Sequence, residues 1–289
     1  MTYFPKRRPQ FVSIAIPASL VEDTPHLREK TYKVGLIGRA ASIFRVEEII
    51  IYPDVLDKNQ KNEIEFIFSV LNYMETPPYL RKHLIKIDPK LKYVGILPPL
   101  RTFHHPNSRS VEMVNEGELR EGVVVKLNGE KSFAYIGLDK LAIIYKKIPI
   151  GERITVKVNK VGKFIEASIV PKTSINSYWG YKVKKSKNPL GKIIKSRDYD
   201  LIIGTSRYGK KFEEIIHDLK QAWLSSKRII ILFGSPRKGI IEILKEEGLK
   251  AEEVIDFLVN TAGNQGVETI RTEEAVYISL AVFNTLDEL

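Results

Sequence analysis

The chain of 289 residues contains no cysteine. Disulfide bonds and thiolate chemistry are therefore excluded. No apolar run is long enough to cross a bilayer, and the segment from Met1 to Gln10 is basic but lacks the apolar core of a signal peptide. We therefore expect a cytoplasmic protein that does not span a membrane.

Signatures of several enzyme classes are also missing. The five histidines are scattered and no H-E-x-x-H occurs, so the sequence predicts no metal site. Neither G-x-S-x-G nor, after the first strand pattern, G-x-G-x-x-G is present, which counts against hydrolases of that type and nicotinamide dehydrogenases. Gly234 to Gly239 has the glycine spacing of a P-loop, but Ile240 and Ile241 stand where Lys and Ser or Thr are needed. This loop could still bind an anion at a helix N-terminus.

Positive charge is abundant. The chain has 46 Lys and Arg against 35 Asp and Glu, a formal net charge of +11 and a pI near 9.5. Such a balance favours a polyanionic partner, with nucleic acid as the obvious candidate. The alternative is that the lysines are merely solvated, because charge indicates a partner only where it clusters at a site.

The amino-terminal part shows alternating strand and helix patterns. Phe11 to Ile16 is typical of a short buried strand, a helical pattern runs from Pro25 to Phe44, and Glu48 to Tyr52 is typical of a second strand. This β-α-β order predicts a parallel sheet. A helix over Lys58 to Tyr73 and a third strand over Tyr93 to Leu97 are expected to follow.

A different texture begins near His105, where short strand patterns follow one another without a helical period. The predicted strands are Gly122 to Leu127, Ser132 to Leu138, Leu141 to Lys146, Arg153 to Asn159 and Lys163 to Val170. Asn128-Gly129 is a strong turn signal, and Ile154, Val156 and Val158 are expected to face inward. Five strands in about fifty residues predict a small OB-like barrel, which is a common nucleic-acid platform, although a barrel used as a spacer has the same pattern.

The α/β pattern then resumes, so the barrel is an insert. We expect strands over Leu201 to Gly204 and Arg228 to Phe233, and helices over Phe212 to Leu224 and Lys238 to Glu247. Residues 1–104 and 172–289 are assigned to one discontinuous α/β domain. Residues 105–171 are assigned to the inserted barrel, which we expect to bind RNA.

A cluster of aromatic and basic residues lies between the barrel and the second half of the α/β domain. Tyr178 to Tyr181 is Y-W-G-Y, and lysines crowd the stretch from Lys182 to Arg197. Rings interleaved with cations suit a single-stranded RNA path, because bases stack and phosphates pair. A solvated linker is the competing interpretation.

The stretch from Leu258 to Leu280 has the pattern of a strand, a loop and a helix. Gly263 and Gly266 are expected to let the loop turn and approach a ligand closely, because glycine tolerates positive φ. Thr272 is predicted to be the helix N-cap, with Val276, Leu280 and Phe283 on the buried face of the helix. A ligand site and an ordinary strand-loop-helix fit this pattern equally well.

Six segments together resemble an archaeal member of the SPOUT methyltransferase superfamily, and more narrowly the archaeal and eukaryotic RNA uridine-N3 methyltransferases that carry an OB-like insert. The segments are Leu36 to Arg45 (L-I-G-R-A-A-S-I-F-R), Tyr79 to Leu84 (Y-L-R-K-H-L), Leu97 to Pro106 (L-P-P-L-R-T-F-H-H-P), Ile203 to Gly209 (I-G-T-S-R-Y-G), Leu232 to Gly239 (L-F-G-S-P-R-K-G) and Asn260 to Ala275. The resemblance runs over essentially the whole chain. It implies a parallel α/β sheet with a carboxy-terminal trefoil knot, a homodimer, and S-adenosylmethionine bound in the knot.

The resemblance also implies which residues form the site. The loops after the carboxy-terminal strands are expected to bind the cofactor, through Thr205, Gly234, Asn260, Gln265, Gly266, Thr269 and Ile270. Arg271, Arg39 and Glu273 are the catalytic candidates; each could instead form a structural salt bridge. A cation that stabilises the deprotonated uridine could suffice without a strong base. RNA contacts, with ribosomal RNA as the expected substrate, are assigned to Arg81, Lys82, Tyr178, Trp179, Lys182, Lys184 and Lys185. Methylation of another RNA atom, such as a ribose 2′-hydroxyl, and a non-catalytic role in ribosome assembly stay open as alternatives.

Overall fold

The computed structural model describes residues 5–107, 110–196 and 198–287. Its strands are β1 (Phe11–Pro17), β2 (Glu48–Tyr52), β3 (Leu119–Asn128), β4 (Lys131–Tyr135), β5 (Ala142–Ile144), β6 (Arg153–Val161), β7 (Ile165–Ile169), β8 (Lys182–Lys185), β9 (Leu201–Lys211), β10 (Arg228–Leu232) and β11 (Phe257–Asn260). Its helices are α1 (Leu27–Ile43), α2 (Lys61–Glu75), α3 (Arg81–Leu84), α4 (Leu190–Lys195), α5 (Phe212–Ser225), α6 (Ile240–Glu246), α7 (Ala251–Val254) and α8 (Thr272–Asn284).

The chain forms two compact units. The α/β unit comprises the described parts of Arg8–Met74, Pro89–Pro99 and Tyr181–Leu289, and the barrel unit comprises those of Met1–Arg7, Glu75–Asp88 and Leu100–Gly180. The barrel unit is larger than the predicted insert of residues 105–171. It takes in α3, with Arg81 and Lys82, because this flanking segment packs on the barrel; the Tyr79 hydroxyl, for example, donates to the Glu121 carbonyl.

A parallel sheet with the strand order β11-β9-β10-β1-β2-β8 forms the α/β unit. The predicted parallel β-α-β unit is confirmed, since β1 and β2 pair in parallel with α1 between them in sequence. All of β2 is buried, as is β1 beyond Phe11, which suits central strands of a parallel sheet covered on both faces. One face packs on α4 and α6 through residues that include Ala15, Ile50, Leu232, Leu190, Ile194, Ile240 and Leu244.

Two elements of the α/β unit differ from the prediction. Val94–Ile96 is a 3-10 turn, so the predicted strand from Tyr93 to Leu97 is wrong; Leu97 instead fills the space that Gly35 leaves on α1. The sheet edge is taken by β8, which lies in the basic stretch predicted as an RNA path or linker. Lys184 pairs there with Glu48 and Lys185 with Glu65, while Lys182 is exposed. Arg197, the end of that stretch, lies outside the described residues.

The barrel is closed, with the order β3-β4-β5-β7-β6, as the sequence predicted. Its interior is apolar and includes Val124, Ala134 and Ile144. Ile154, Val156 and Val158 are buried as expected from their alternation along β6.

Tyr178 and Trp179 belong to the barrel unit and are buried, with 2% and 7% of their surface exposed. The Trp179 indole N–H donates to the Glu121 carboxylate at 2.6 Å, and Arg153 donates to the same carboxylate at 2.6 Å. Burial disfavours the charged form of Glu121, but Arg153 and Lys172 outweigh it and hold the pKa of that carboxyl below its ordinary value. The prediction that these two rings stack on RNA bases is therefore wrong, because neither ring presents a free face.

We expect Trp179→Ala to lower the free energy of unfolding of the barrel unit by about 3–5 kcal/mol, as for a large aromatic removed from a core. Trp179→Phe keeps most of the volume and should cost less, mainly the hydrogen bond to Glu121. Tyr145→Ala, on an exposed ring of the same unit, is the control and should leave stability nearly unchanged. Urea unfolding of the three variants measures this. A Trp179→Ala protein with wild-type stability would contradict the burial of this ring.

Close packing at Gly209 yields a second stability prediction. A Cβ there would lie 2.6 Å from the Leu258 carbonyl oxygen and 2.7 Å from the Val259 nitrogen, which are backbone atoms of β11. Gly209→Ala should therefore destabilise the α/β unit by about 1–3 kcal/mol, as overpacking does. Gly263→Ala is the matched control, because its Cβ would meet only the Lys211 side chain at 3.8 Å. Equal midpoints for the two variants in chemical unfolding would refute the prediction.

Candidate active site

Three chain segments meet at the carboxyl-terminal edge of β10, β9 and β11, which are neighbours in the parallel sheet. They are Thr205–Tyr208, Gly234–Gly239 and the chain from Asn260 to Ile270, and with the inner face of α8 they line a cavity of about 210 Å³, here called the loop cavity. The carboxyl edge of a parallel sheet is where α/β folds bind ligands. The position of the loop cavity follows from the strand order, which brings together loops that are far apart in sequence.

The first segment leaves the ladder because the pairing of β9 with β11 jumps in register. Gly204 pairs with Leu258 but Lys210 pairs with Val259, so residues 205–209 bulge from the sheet edge. The Thr205 hydroxyl donates to the Leu232 carbonyl at 2.8 Å and anchors the start of this bulge on β10.

The second segment folds into a closed turn. Ser235 N–H donates to the Lys238 carbonyl at 2.8 Å, and the Ser235 hydroxyl accepts from Lys238 N–H at 3.0 Å. Gly234 has no room for a side chain, since a Cβ would lie 2.9 Å from the Lys238 carbonyl oxygen. The Thr272 hydroxyl donates to the Gly234 carbonyl at 3.0 Å and ties this turn to the start of α8.

The third segment is held by its own amides. The Asn260 side chain donates to the Arg207 carbonyl at 3.1 Å and accepts from Ala262 N–H at 3.0 Å. The Gln265 amide donates to the carbonyls of Val267 and Glu268. The residue in the left-handed conformation is Asn264, with φ of 59°, so the expectation that Gly263 and Gly266 supply positive φ is wrong. Asparagine tolerates this conformation better than most residues.

Six of the seven predicted cofactor neighbours line the loop cavity: Thr205, Gly234, Asn260, Gln265, Thr269 and Ile270. Gly266 is not among the lining residues, and a Cβ there would meet nothing within 4 Å. Sequence reasoning did not single out Arg207, Tyr208, Glu242, Ala275 and Ile278, which also line the cavity. The small residues at one face of α8 were the available signal for Ala275, but they were interpreted as a packing face.

A second cavity, here called the helix cavity, measures about 500 Å³ and lies between the start of α1 and the start of α8. Arg271 and Glu273, two of the catalytic candidates, line it together with Thr24, Arg28, Glu29, Tyr32, Lys33, Leu36, Ile96 and Glu274. Arg39 lies further along α1, donates to the Pro99 carbonyl at 2.9 Å and does not line either cavity. The start of α8 thus contributes to both cavities, with Thr272 in the loop cavity and Glu273 in the helix cavity.

The N-terminus of α8 differs in one detail from the prediction. The N-cap is Arg271, whose N–H donates to the Glu274 carboxylate at 2.9 Å, and Thr272 is the first helical residue. The Thr272 hydroxyl, which was predicted to cap the helix, donates instead to the Gly234 carbonyl. The buried face of the helix, with Val276, Leu280 and Phe283, is confirmed.

Glu273 is the most unusual ionisable group of the helix cavity. Only 5% of the residue is exposed, and its Oε2 accepts no hydrogen bond from the described residues. Lys33 Nζ lies 3.6 Å from that oxygen and 2.7 Å from Asp23. Burial raises the pKa of the Glu273 carboxyl above its ordinary value, and Lys33 only partly offsets the effect. A carboxylate whose pKa is raised in this way is a stronger proton acceptor than an ordinary carboxylate.

Two kinds of feature are absent from the described residues. No group of three or more His, Cys, Asp or Glu side chains is arranged to hold a metal ion within residues 5–107, 110–196 and 198–287. No helix in these ranges is both long and apolar enough to span a membrane.

Comparison with known proteins connects this geometry to a family. A family model described as "Putative RNA methyltransferase" matches residues 11–283. The chain is 33% identical to the 28S rRNA (uridine-N(3))-methyltransferase of Mus musculus, over 95% of this chain and 76% of the mouse protein. The human protein of the same name is 32% identical, over 95% of this chain and 78% of its own length.

An uncharacterised protein of the archaeon Haloarcula marismortui is 32% identical over 93% of this chain and 96% of its own length. The matches thus cover both units and all three segments of the loop cavity. The protein belongs to this family of RNA methyltransferases, as the resemblance of its six segments predicted.

Proposed function

We propose that the protein methylates N3 of a uridine in ribosomal RNA, with S-adenosylmethionine in the loop cavity and the target base at the helix cavity. The observation that carries this proposal is the start of α8. Thr272 lines the loop cavity, and the next residue, Glu273, lines the helix cavity as a buried carboxylate beside Lys33. The names of the mouse and human relatives support the target atom.

The donor set of the loop cavity fits S-adenosylmethionine. The turn at Gly234 brings backbone groups to the cavity wall where a Cβ would not fit, which suits the edge of an adenine ring. Arg237 and Lys238 supply cations for the methionine carboxylate, and Glu242 and Glu268 supply carboxylates for its ammonium group. Ile270 and Ile278 add apolar walls. When bound, the cofactor supplies an electrophilic methyl group.

Strand order supports the knot that the resemblance implies. The chain leaves β10, forms β11 beyond β9, and then returns through residues 261–271 so that Thr272 bonds to Gly234 at the end of β10. A return of the chain from β11 to the end of β10 suits a trefoil knot, a feature that few other proteins have. The resemblance also implies a homodimer, which we keep as a proposal. Tyr32 and Ile43, both about half exposed on α1, are suitable residues for its interface.

Methyl transfer to N3 requires removal of the imide proton. We assign this step to Glu273: its carboxylate would accept the N3 proton and leave the nitrogen electron pair free to take the methyl group that the bound cofactor would supply. The positive charge of Lys33 favours the ionised form of Glu273 and so acts against the effect of burial on its pKa. Arg271, on the rim of the same cavity, is suited to hold the negative charge that develops on a uracil oxygen.

The decisive experiment supplies the protein with methyl-labelled S-adenosylmethionine and unmodified ribosomal RNA, followed by digestion and identification of the labelled nucleoside. We expect 3-methyluridine. A label on a ribose would favour 2′-hydroxyl methylation, and cofactor binding without any transfer would favour a scaffold role in ribosome assembly.

Filling the loop cavity tests where the cofactor binds. Ala275→Leu places three more carbons on a wall of the cavity and should weaken S-adenosylmethionine binding at least about tenfold, or about 1.4 kcal/mol. Ala222→Leu makes the same change on α5, away from the lining residues, and should bind the cofactor normally. Isothermal titration calorimetry measures both affinities. Tight binding by Ala275→Leu would place the cofactor elsewhere.

Glu273→Gln tests the proton acceptor. The amide cannot take the N3 proton, so kcat should fall by about 10²- to 10⁴-fold while cofactor affinity and thermal stability are kept. Wild-type kcat should drop as the pH falls through the raised pKa of Glu273, since the protonated carboxyl is inactive. Lys33→Met should move that inflection to higher pH, because the nearby positive charge favours the carboxylate.

Glu274→Gln is the matched control for this experiment. Glu274 lines the same cavity, and the amide oxygen of the variant can still cap Arg271 N–H. Its kcat should stay near that of the wild type. Full activity in Glu273→Gln would make Glu273 a structural residue and leave charge stabilisation by Arg271 as the route to deprotonation.

A further inference from the structure

The outer surface of the barrel carries aromatic rings in a regular arrangement. Along β4, Ser132 and Ala134 point into the barrel, so Lys131, Phe133 and Tyr135 point outward. Ser132 is opposite Ile144 in β5, which sets Tyr145 beside Lys131. Alternate residues of a strand lie about 6.6–6.8 Å apart, a distance that successive bases of an extended single strand can match.

Each of three rings on this surface is accompanied by a lysine. Lys131 Nζ lies 4.9 Å from the Tyr145 ring centre, Lys163 Nζ lies 5.8 Å from that of Phe164, and Lys126 Nζ lies 5.8 Å from that of Phe133. Tyr145 and Phe164 are 61% and 58% exposed, which is unusual for rings of this size. We call these six residues the aromatic-lysine surface.

The surface continues beyond the barrel strands to α3. The Tyr135 ring lies 5.0 Å from the ring of His83, and Lys82, an RNA contact predicted from the sequence, is exposed beside it. All of these residues belong to the barrel unit. A single row of rings and cations therefore runs from Tyr145 through Phe133 and Tyr135 to α3.

We propose that the aromatic-lysine surface binds a single-stranded segment of the RNA substrate, with bases stacked on Tyr145, Phe133 and Phe164. The paired lysines then neutralise the phosphates that flank each stacked base. A duplex does not fit, because its bases are already stacked and offer no free face to the rings. The exposed rings replace Tyr178 and Trp179, whose burial removes them from this role.

Charge and chemistry favour RNA over a protein partner. Protein interfaces have a core depleted of charge, and lysine is disfavoured there. Here each of the three rings has an ammonium group within 6 Å of its centre, an arrangement that the core of a protein interface disfavours. The identity of the ligand as substrate RNA rests on the proposed function, but the binding surface itself rests on the barrel geometry.

Fluorescence anisotropy of the full chain with a labelled oligouridylate of about 12 nucleotides tests the proposal, because OB folds bind strands of about this length. Tyr145→Ala and Phe164→Ala should each weaken binding at least about fivefold, as loss of one stacked base does. Tyr145→Phe keeps the ring and should bind like the wild type. A blunt RNA duplex of equal length should bind more weakly and respond little to either alanine variant.

Lysine variants give a matched comparison. Lys131→Ala should weaken binding. It should also reduce the number of counterions released on binding, measured from the salt dependence of the affinity, by about one, since one phosphate contact is lost. Lys157→Ala removes the same charge from an exposed position on β6 and should change neither quantity appreciably. If the two lysine variants behave alike and Tyr145→Ala binds like the wild type, the proposal is wrong.

Failure of this proposal is distinguishable from failure of the proposed function. A wild-type protein that binds the oligouridylate through Tyr145 but methylates no ribosomal RNA would overturn the function and leave the surface intact. A protein that methylates ribosomal RNA while Tyr145→Ala changes neither oligouridylate affinity nor KM for RNA would overturn the surface alone. The thermal unfolding midpoint of every variant is the stability control. We expect wild-type midpoints for the Tyr145 and Phe164 variants, because both side chains are exposed.

Discussion

β11 pairs with β9 in a broken register, and the site depends on this pairing. Gly204 pairs with Leu258 and Lys210 with Val259, so five residues of β9 are expelled at the edge where β10 and β11 also end. The close approach requires Gly209, where any side chain would meet the β11 backbone. The loop cavity exists because this bulge, the Gly234 turn and the chain after Asn260 are forced to one edge of the sheet.

The start of α8 connects this edge of the sheet, and its loop cavity, with the helix cavity. Thr272 is fixed to the Gly234 carbonyl, which orients the first turn of the helix. Adjacent side chains of a helix diverge by about 100°, so Thr272 and Glu273 reach different cavities. In the proposed function, the cofactor and the target base approach this helix end from the two cavities. The burial that raises the pKa of Glu273 follows from its packing against α1 beside Lys33.

The barrel unit separates structural aromatics from exposed ones. Trp179 and Tyr178 are buried in the core of the barrel unit. The indole of Trp179 donates a hydrogen bond to the Glu121 carboxylate, as Arg153 and Thr155 also do. Tyr145 and Phe164 stand on the outside with lysines over their faces. In sequence both pairs are aromatic residues near lysines, and only burial distinguishes them.

Local pattern was sufficient to predict the fold class, the inserted barrel and most strands, because alternation and helical periodicity are local properties. The resemblance of loop motifs was sufficient to gather Thr205, Gly234, Asn260 and Gln265 at one cavity. Local pattern failed at Val94–Ile96, because this apolar run forms a 3-10 turn and does not pair with a strand. It also failed at β8, because a lysine-rich segment does not have the apolar pattern by which strands are predicted. The sequence by itself determined the family and most of the elements. The tertiary structure decided which aromatic rings are buried, which carboxylate is buried beside Lys33, and which helix end lines two cavities, because these properties arise from contacts between residues distant in sequence.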